Sequence, residues 1–277
     1  MAVVSLGYRT DLMLLGLQGS VVSLHHGYSC IRTPANPTFH WGNLVLLRAP
    51  PAPGTVASWV TVFRHEFPHA NHVTLGVDGT EGDSGDPAEL EAAGLEAEVG
   101  TVLTATAVCP PPRPHRDAEL RPLVDDQDWR AALALREANN VLPDVEGFRV
   151  FAWRRLVGLR RLQERGLGAW FGAFHHGRMV SGLGVFTDGH GLARFQHVDT
   201  HPEYRGRGLA GTLVYTAGRY ALDRLGARRL VIVADPGYVS IRVYRSVGFA
   251  DEETQVRVQR RQPVPPPAPA QTADQDR

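Results

Sequence analysis

Val198-Asp-Thr-His-Pro-Glu-Tyr-Arg-Gly-Arg-Gly-Leu-Ala-Gly211 is the stretch on which the reading of the chain turns. Pro202 cannot donate to a ladder and ends a strand. Gly206, Gly208 and Gly211 permit positive φ and close backbone approach. A helical pattern starts at Leu209, so successive N–H groups converge at the positive end of a helix dipole. Arg205 and Arg207 add charge whose planar geometry suits phosphate. A diphosphate would be held here mainly by backbone amides. Two common nucleotide loops do not fit. All 29 basic residues are arginine, so the Gly-Lys-Ser/Thr ending of a Walker A loop is excluded, and Arg-Gly-Arg-Gly-Leu-Ala lacks G-x-G-x-x-G spacing.

Outward from the loop, the pattern is that of an α+β domain. Asp125-Asp-Gln-Asp128 opens a helix, its acids suiting the first turn. A second helical stretch spans about Val150–Glu164, with Phe151, Leu156, Leu159 and Leu162 on one face. Its arginines, Arg154, Arg155, Arg160, Arg161 and Arg165, read as a solvated face. Ala169–Phe174 and Met179–Phe186 form a hairpin around His175–Arg178, and Ala193–Thr200 makes the next strand. After the loop come a helix at about Leu209–Leu225, an apolar strand at Arg229–Ala234, a short helix near Tyr238–Val247 and a last strand near Thr254–Val258.

On these residues the chain resembles the GNAT superfamily of acyl-CoA-dependent N-acetyltransferases. The loop is similar to the family's pyrophosphate pattern Gln/Arg-x-x-Gly-x-Gly/Ala, with Arg205, Gly208 and Ala210 at the fixed places. Val198-x-Thr-x-Pro202 matches the splayed fourth strand of such folds. Ile241-Arg-Val-Tyr-Arg-Ser-Val-Gly-Phe249 resembles the family's Leu-Tyr-x-x-x-Gly-Phe segment. The resemblance covers about 118–260. It implies that acetyl-CoA, a cosubstrate, is held by Val198, Asp199, Thr200, Arg205, Gly206, Arg207, Gly208, Leu209, Ala210 and Gly211. It also implies that a backbone N–H near Thr200 polarises the thioester carbonyl, and that the Tyr244 hydroxyl acts as general acid near the sulfur. The family's usual asparagine six places before that tyrosine is Tyr238 here. His197, Asp199, His201 and Glu203 all stand near the strand end, and the residues do not decide which, if any, is the general base.

The first part of the chain follows a worn copy of the same plan. Thr10–Leu17 and Val21–Arg32 resemble the hairpin, and Asn43–Leu47 the fourth strand. A helix at about Thr55–Phe67, a strand at His72–Val77 and Ala88–Leu95, laid against Ile241–Phe249, complete the copy. In the loop position Arg48-Ala-Pro-Pro-Ala-Pro-Gly54 has prolines where amides would hold a diphosphate, and Leu90 replaces Tyr244. The expected fold is therefore GNAT-like: a mixed, mostly antiparallel sheet flanked by helices in an α/β/α layering, with two such domains in tandem. The expected divisions are a degenerate half at 1–108, a proline-rich linker at 109–117, the transferase domain at 118–261 and a disordered proline-rich tail at 262–277. Asn36-Pro-Thr-Phe-His-Trp-Gly-Asn43 reads as a packed turn.

Net charge is zero over 277 residues, yet residues 1–117 carry 6 Arg against 11 acids and residues 118–262 carry 22 against 16. A basic half beside an acidic one suits a small polyanion. No denser basic stripe suggests nucleic acid. No apolar run approaches a membrane span, and the N-terminus lacks a signal pattern, so the expectation is cytoplasmic. Cys30 and Cys109 are too few and too far apart for a metal knuckle, so no metal is expected. The partners expected are acetyl-CoA and an amine acceptor, a small molecule or a protein. The alternative function is a non-catalytic CoA-binding regulator. Acceptor identity and oligomeric state stay open.

Overall fold

A computed structural model describes residues 3–260. The first helix, α1 (Leu6–Leu17), is started by carboxylates distant in sequence. Val4 and Ser5 N–H donate to Asp78, Leu6 N–H donates to Glu253, and the Ser5 hydroxyl accepts from Tyr8 N–H. This corrects the strand expected at Thr10–Leu17. Its run of leucines is buried on more than one side, against different clusters, and shows no clear helical stripe.

The chain continues through β1 (Val21–Leu24), β2 (Tyr28–Arg32), β3 (Leu44–Leu47), α2 (Val56–Glu66), β4 (Thr74–Val77), α3 (Pro87–Ala92) and β5 (Leu95–Ala105). The second half gives β6 (Glu119–Pro122), α4 (Asp126–Ala138), α5 (Val145–Glu164), β7 (Gly168–His175), β8 (Arg178–Thr187), β9 (Leu192–Thr200), α6 (Leu209–Arg224), β10 (Arg229–Ala234), α7 (Ser240–Ser246) and β11 (Ala250–Arg260). The hairpin, the strand ahead of the loop and the helices around it lie where the residue pattern puts them. Patterning assigned nothing to β6 or to β5 beyond Leu95.

All eleven strands join one mixed sheet in the order β1-β2-β3-β4-β11-β5-β10-β9-β8-β7-β6. Only β3 with β4 and β9 with β10 are parallel. Apart from β6 at one edge, the order reads alike from both sides. β1 to β4 on one side match β7 to β10 on the other, α2 matches α6, and α3 matches α7. At the centre the halves exchange strands. β11, from the second half, lies between β4 and β5 of the first, and β5 lies between β11 and β10. The exchange is apolar at its heart, with Val102 and Leu103 fully buried.

Helices α1, α4 and α5 cover one face of the sheet, and α2, α3, α6 and α7 the other. Beneath α1, Asp11 pairs with buried Arg194 of β9 at 3.0 Å and accepts from Gln255 of β11 at 2.9 Å. The arginine face expected on α5 needs one correction. Arg155 is buried, its guanidinium 4.1 Å from the Phe39 ring and hydrogen-bonded to Gln18 and Gln196. The packed turn at Asn36–Asn43 supplies that ring, and the Asn36 amide donates to the Phe151 carbonyl. The tail expected at 262–277 lies outside the described residues.

Because β5 hydrogen-bonds only to β10 and β11 of the second half, and β11 only to β4 and β5 of the first, cutting the chain at the linker removes a central strand from each. Residues 1–108 or 118–277 expressed alone are expected to show no cooperative thermal transition, and co-expression is expected to restore one. The intact chain should melt in a single transition, and Leu103→Ala should cost about 2–5 kcal/mol. Calorimetry of the pieces and of the whole chain checks this.

Candidate active site

The parallel pair β9–β10 comes apart as it runs. Its register covers Leu192–Arg194 against Arg229–Val231 and stops there, so Phe195–Thr200 has no partner on the β10 side. On the other side β9 stays pinned to β8. The Ser181 hydroxyl donates to the Asp199 carbonyl at 2.7 Å and lies 2.8 Å from Thr200 Oγ1, and His201 N–H donates to the Val180 carbonyl. A bulge between Gly182 and Gly184 turns β9 at His197, whose φ is +51°.

The loop beyond opens directly into α6. Gly206 and Gly208 take φ of +74° and +80°, as their glycines suggest, while Gly211 lies inside α6 with ordinary helical backbone. Among the described residues, the N–H groups of residues 206–211 meet no acceptor; the first amide of this run to do so is Thr212, which donates to the Gly208 carbonyl. These six amides, the unpaired edge of β9 and the face of α7 surround a cleft of about 560 Å3. All ten residues expected to bind the donor line it, and so do Asn139, Tyr204, Tyr238, Val239, Ser240, Arg242, Val243 and Ser246.

The two loop arginines are held by the protein itself. Arg205 donates to the Asn139 side chain at 2.7 Å and to the Thr200 carbonyl, while Arg207 donates to the Glu203 carbonyl and lies 4.8 Å from the Tyr204 ring. Both brace the turn that presents the amides.

Tyr244 is 5% exposed and sits behind the lining residues, packed in the core under α6. Burial pushes its hydroxyl up to about 12, with Ser240 and Asp199 near enough to act on it. Of the four candidate bases, Asp199 alone lines the cleft. It pairs with Arg136 of α4 at 2.9 Å, and burial raises its pKa despite that partner. His197 is half-buried against Trp170, and desolvation of its ring together with Arg136, Arg155 and Arg194 holds it neutral, well below the usual histidine range. His201 and Glu203 turn toward Arg178.

Pro111, Pro112 and Arg113 of the expected linker also line the cleft. The segment is seated rather than loose, because α6 offers it a glycine groove. A Cβ on Gly218 would stand 2.9 Å from Val108, one on Gly211 3.0 Å from Pro111, and one on Gly208 2.1 Å from the Arg113 carbonyl. Cys109 N–H donates to the Val247 carbonyl, His115 N–H donates to the Thr212 hydroxyl, and the His115 ring lies 3.0 Å from the Arg207 carbonyl. Glycines along one face of a helix were the signal in the sequence that something packs there.

The matching region of the first half has a different geometry. β3 and β4 stay paired to the end of β3, at Leu47 with Val77, so no slot opens between them. Pro50, Pro51 and Pro53 have no N–H to offer, and Gly54 N–H is already taken by the Glu89 carboxylate. Leu90, buried, stands where Tyr244 stands in the second half.

Residues 131–249 match the model described as Acetyltransferase (GNAT) family. This segment is similar to that family. No curated protein sequence matches it. Similar solved structures include a functionally unknown conserved protein from Staphylococcus epidermidis, with 12% identity, 87% of this chain and 94% of that one covered, and a TM-score of 0.66. A GCN5-related N-acetyltransferase from Kribbella flavida has 14% identity, coverage of 94% and 97%, and a TM-score of 0.62. A tandem GNAT protein from the clavulanic acid biosynthesis pathway has 18% identity, coverage of 91% and 93%, and a TM-score of 0.54. The fold of this chain is thus a tandem GNAT arrangement. Among the described residues no helix is long and apolar enough to cross a membrane.

Two outcomes follow from this geometry. Gly208→Val must place a branched side chain at positive φ against the Arg113 carbonyl, so it should displace the linker segment and lower the melting temperature. A lowered pKa at His197 means that the unfolded chain takes up a proton that the folded one refuses. Its stabilising contribution is intact above the unfolded value of roughly 6.5 and is lost as pH falls below it. Denaturant titrations at pH 7 and pH 5 should show this loss. His197→Asn, which tolerates positive φ, should flatten it.

Proposed function

We propose that this chain is an N-acetyltransferase, moving an acetyl group from acetyl-CoA to a primary amine of a small molecule or protein by direct transfer in a ternary complex. The observation that carries the reading is the run of six N–H groups without acceptors at the start of α6, beside the unpaired edge of β9. Amides at a helix N-terminus suit a pyrophosphate, and an open strand edge suits the amide groups of a pantetheine arm. Any side chain at Gly208 would collide with the linker and disturb the cradle.

When bound, acetyl-CoA supplies an activated thioester with a thiolate leaving group. The protein's part is to place and polarise it. A backbone N–H of Val198–Thr200 donates to the acetyl carbonyl and favours negative charge on that oxygen. The Tyr244 hydroxyl, kept protonated by its burial, is the group that can return a proton to the sulfur. The incoming amine has to be neutral, and Asp199 is the acidic side chain of the cleft best placed to take its proton, directly or through water. The first half is read as carrying no donor of its own, since β3 stays paired with β4, Pro50, Pro51 and Pro53 have no N–H, and Glu89 takes that of Gly54.

A second reading, a non-catalytic CoA-binding regulator, draws support from the burial of Tyr244 behind the cleft wall. Calorimetry and a thiol-release assay over a panel of amines, aminoglycosides and peptide N-termini separate the two. The enzyme reading expects about one CoA per chain and thiol release with at least one acceptor; the regulator binds CoA and releases nothing. No binding, or two equal sites, would overturn the proposal as stated. Tyr244→Phe is expected to lower turnover about tenfold or more with CoA affinity unchanged. Unchanged turnover removes Tyr244 from the acid role.

A further inference from the structure

We propose that Arg113, carried on the segment joining the two halves, acts with Arg242 of α7 to bind the 3′-phosphate of the donor's ribose. The inference rests on the acetyl-CoA reading above and extends it to the part of the donor farthest from the thioester.

Four arginines line the cleft, and they fall into two pairs. Arg205 and Arg207 are tied back to Asn139, Thr200 and Glu203 and hold the loop in shape. Arg113 and Arg242 are exposed, and among the described residues neither guanidinium has a hydrogen-bond or ion-pair partner, whereas neighbouring Arg245 is paired with Asp251. Two uncompensated guanidiniums facing one cleft, from different elements, favour a dianion between them. The pyrophosphate is already provided for by the six free amides of residues 206–211 and the helix dipole. A phosphomonoester, carrying about −1.5 to −2 at neutral pH, is the remaining anion of the donor, and guanidinium forks match its oxygens.

The position of the segment agrees with this assignment. The strand tip Val198–Thr200 lines the cleft, and the acyl end belongs there. The linker lies across Gly208 and Gly211, beside the free amides at the start of α6, where a nucleotide leaving the pyrophosphate would meet it. Arg113 is held there by its neighbours. Its carbonyl crosses Gly208, Pro111 packs on Gly211 in the groove, and His115 is bonded to Thr212 and lies against the Arg207 carbonyl. The joining segment therefore does more than connect: it brings to the donor site an unpartnered guanidinium, where those of the loop are tied back.

The test is calorimetric titration of the full chain with CoA and with 3′-dephospho-CoA. The wild-type protein should bind CoA at least about tenfold more tightly than the dephospho form. Arg113→Ala and Arg242→Ala should each lose most of that preference, with dephospho-CoA affinity unchanged. Arg116→Ala, an exposed neighbour that does not line the cleft, should bind both ligands as wild type does. Equal affinity of the wild type for the two ligands overturns the proposal, because the 3′-phosphate then lies in solvent. So does an equal loss for both ligands in Arg113→Ala, or a loss in Arg116→Ala matching that in Arg113→Ala. If neither ligand binds the wild type, the donor reading itself fails, and this inference with it.

Discussion

The central antiparallel pair of β5 and β11 is the constraint from which the rest follows. Each strand leaves its own half and hydrogen-bonds into the other, so two incomplete sheets become one. The exchange satisfies the backbone groups of what would otherwise be two exposed edges, and buries Val102 and Leu103 from both sides. It also sets the course of the chain that follows. Having ended β5 beside β10, the chain must return to begin β6 at the far edge, and the short route runs along α6. The glycine groove on that helix, and the presence of Arg113 at the donor cleft, are consequences of that crossing.

The two halves share a plan and differ in a few backbone details. In the second, β9 parts from β10 after Arg194, and six amides face an open cleft. In the first, β3 keeps its partner, three prolines remove amides from the loop, and Glu89 takes the Gly54 N–H. A carboxylate at that position satisfies the same positive end of a helix that a phosphate would. The acidic character of the first half and the basic character of the second, which cancel in the total, match this division.

Much of the site was legible locally. Proline, glycine and arginine in Val198–Gly211 say where a strand ends, where the backbone must turn left-handed and where a helix begins, because those are properties of single residues and their neighbours. Other features were not legible. α1 is buried on more than one side and so shows no clear helical stripe; its start depends on Asp78 and Glu253, distant in sequence. Arg155 was read as solvent-facing because its helix is rich in arginine, yet Phe39, Gln18 and Gln196 arrive from elsewhere to cover it. Arg205 and Arg207, read as phosphate ligands, line the cleft and also brace the loop, a second role that the sequence did not signal. Gly211 serves the packing of Pro111 rather than an unusual φ.

By itself the sequence determined the order of the elements, the doubled plan with one intact and one worn copy, and the chemistry of the loop. These rest on short-range rules of backbone conformation and residue shape. Tertiary structure alone decided that the halves are joined through exchanged strands, that β9 separates from β10 while β3 does not part from β4, and that the linker becomes a wall of the cleft. Those outcomes depend on which strand edges find partners and which side chains meet across the sheet, and no local pattern records a partner a hundred residues away.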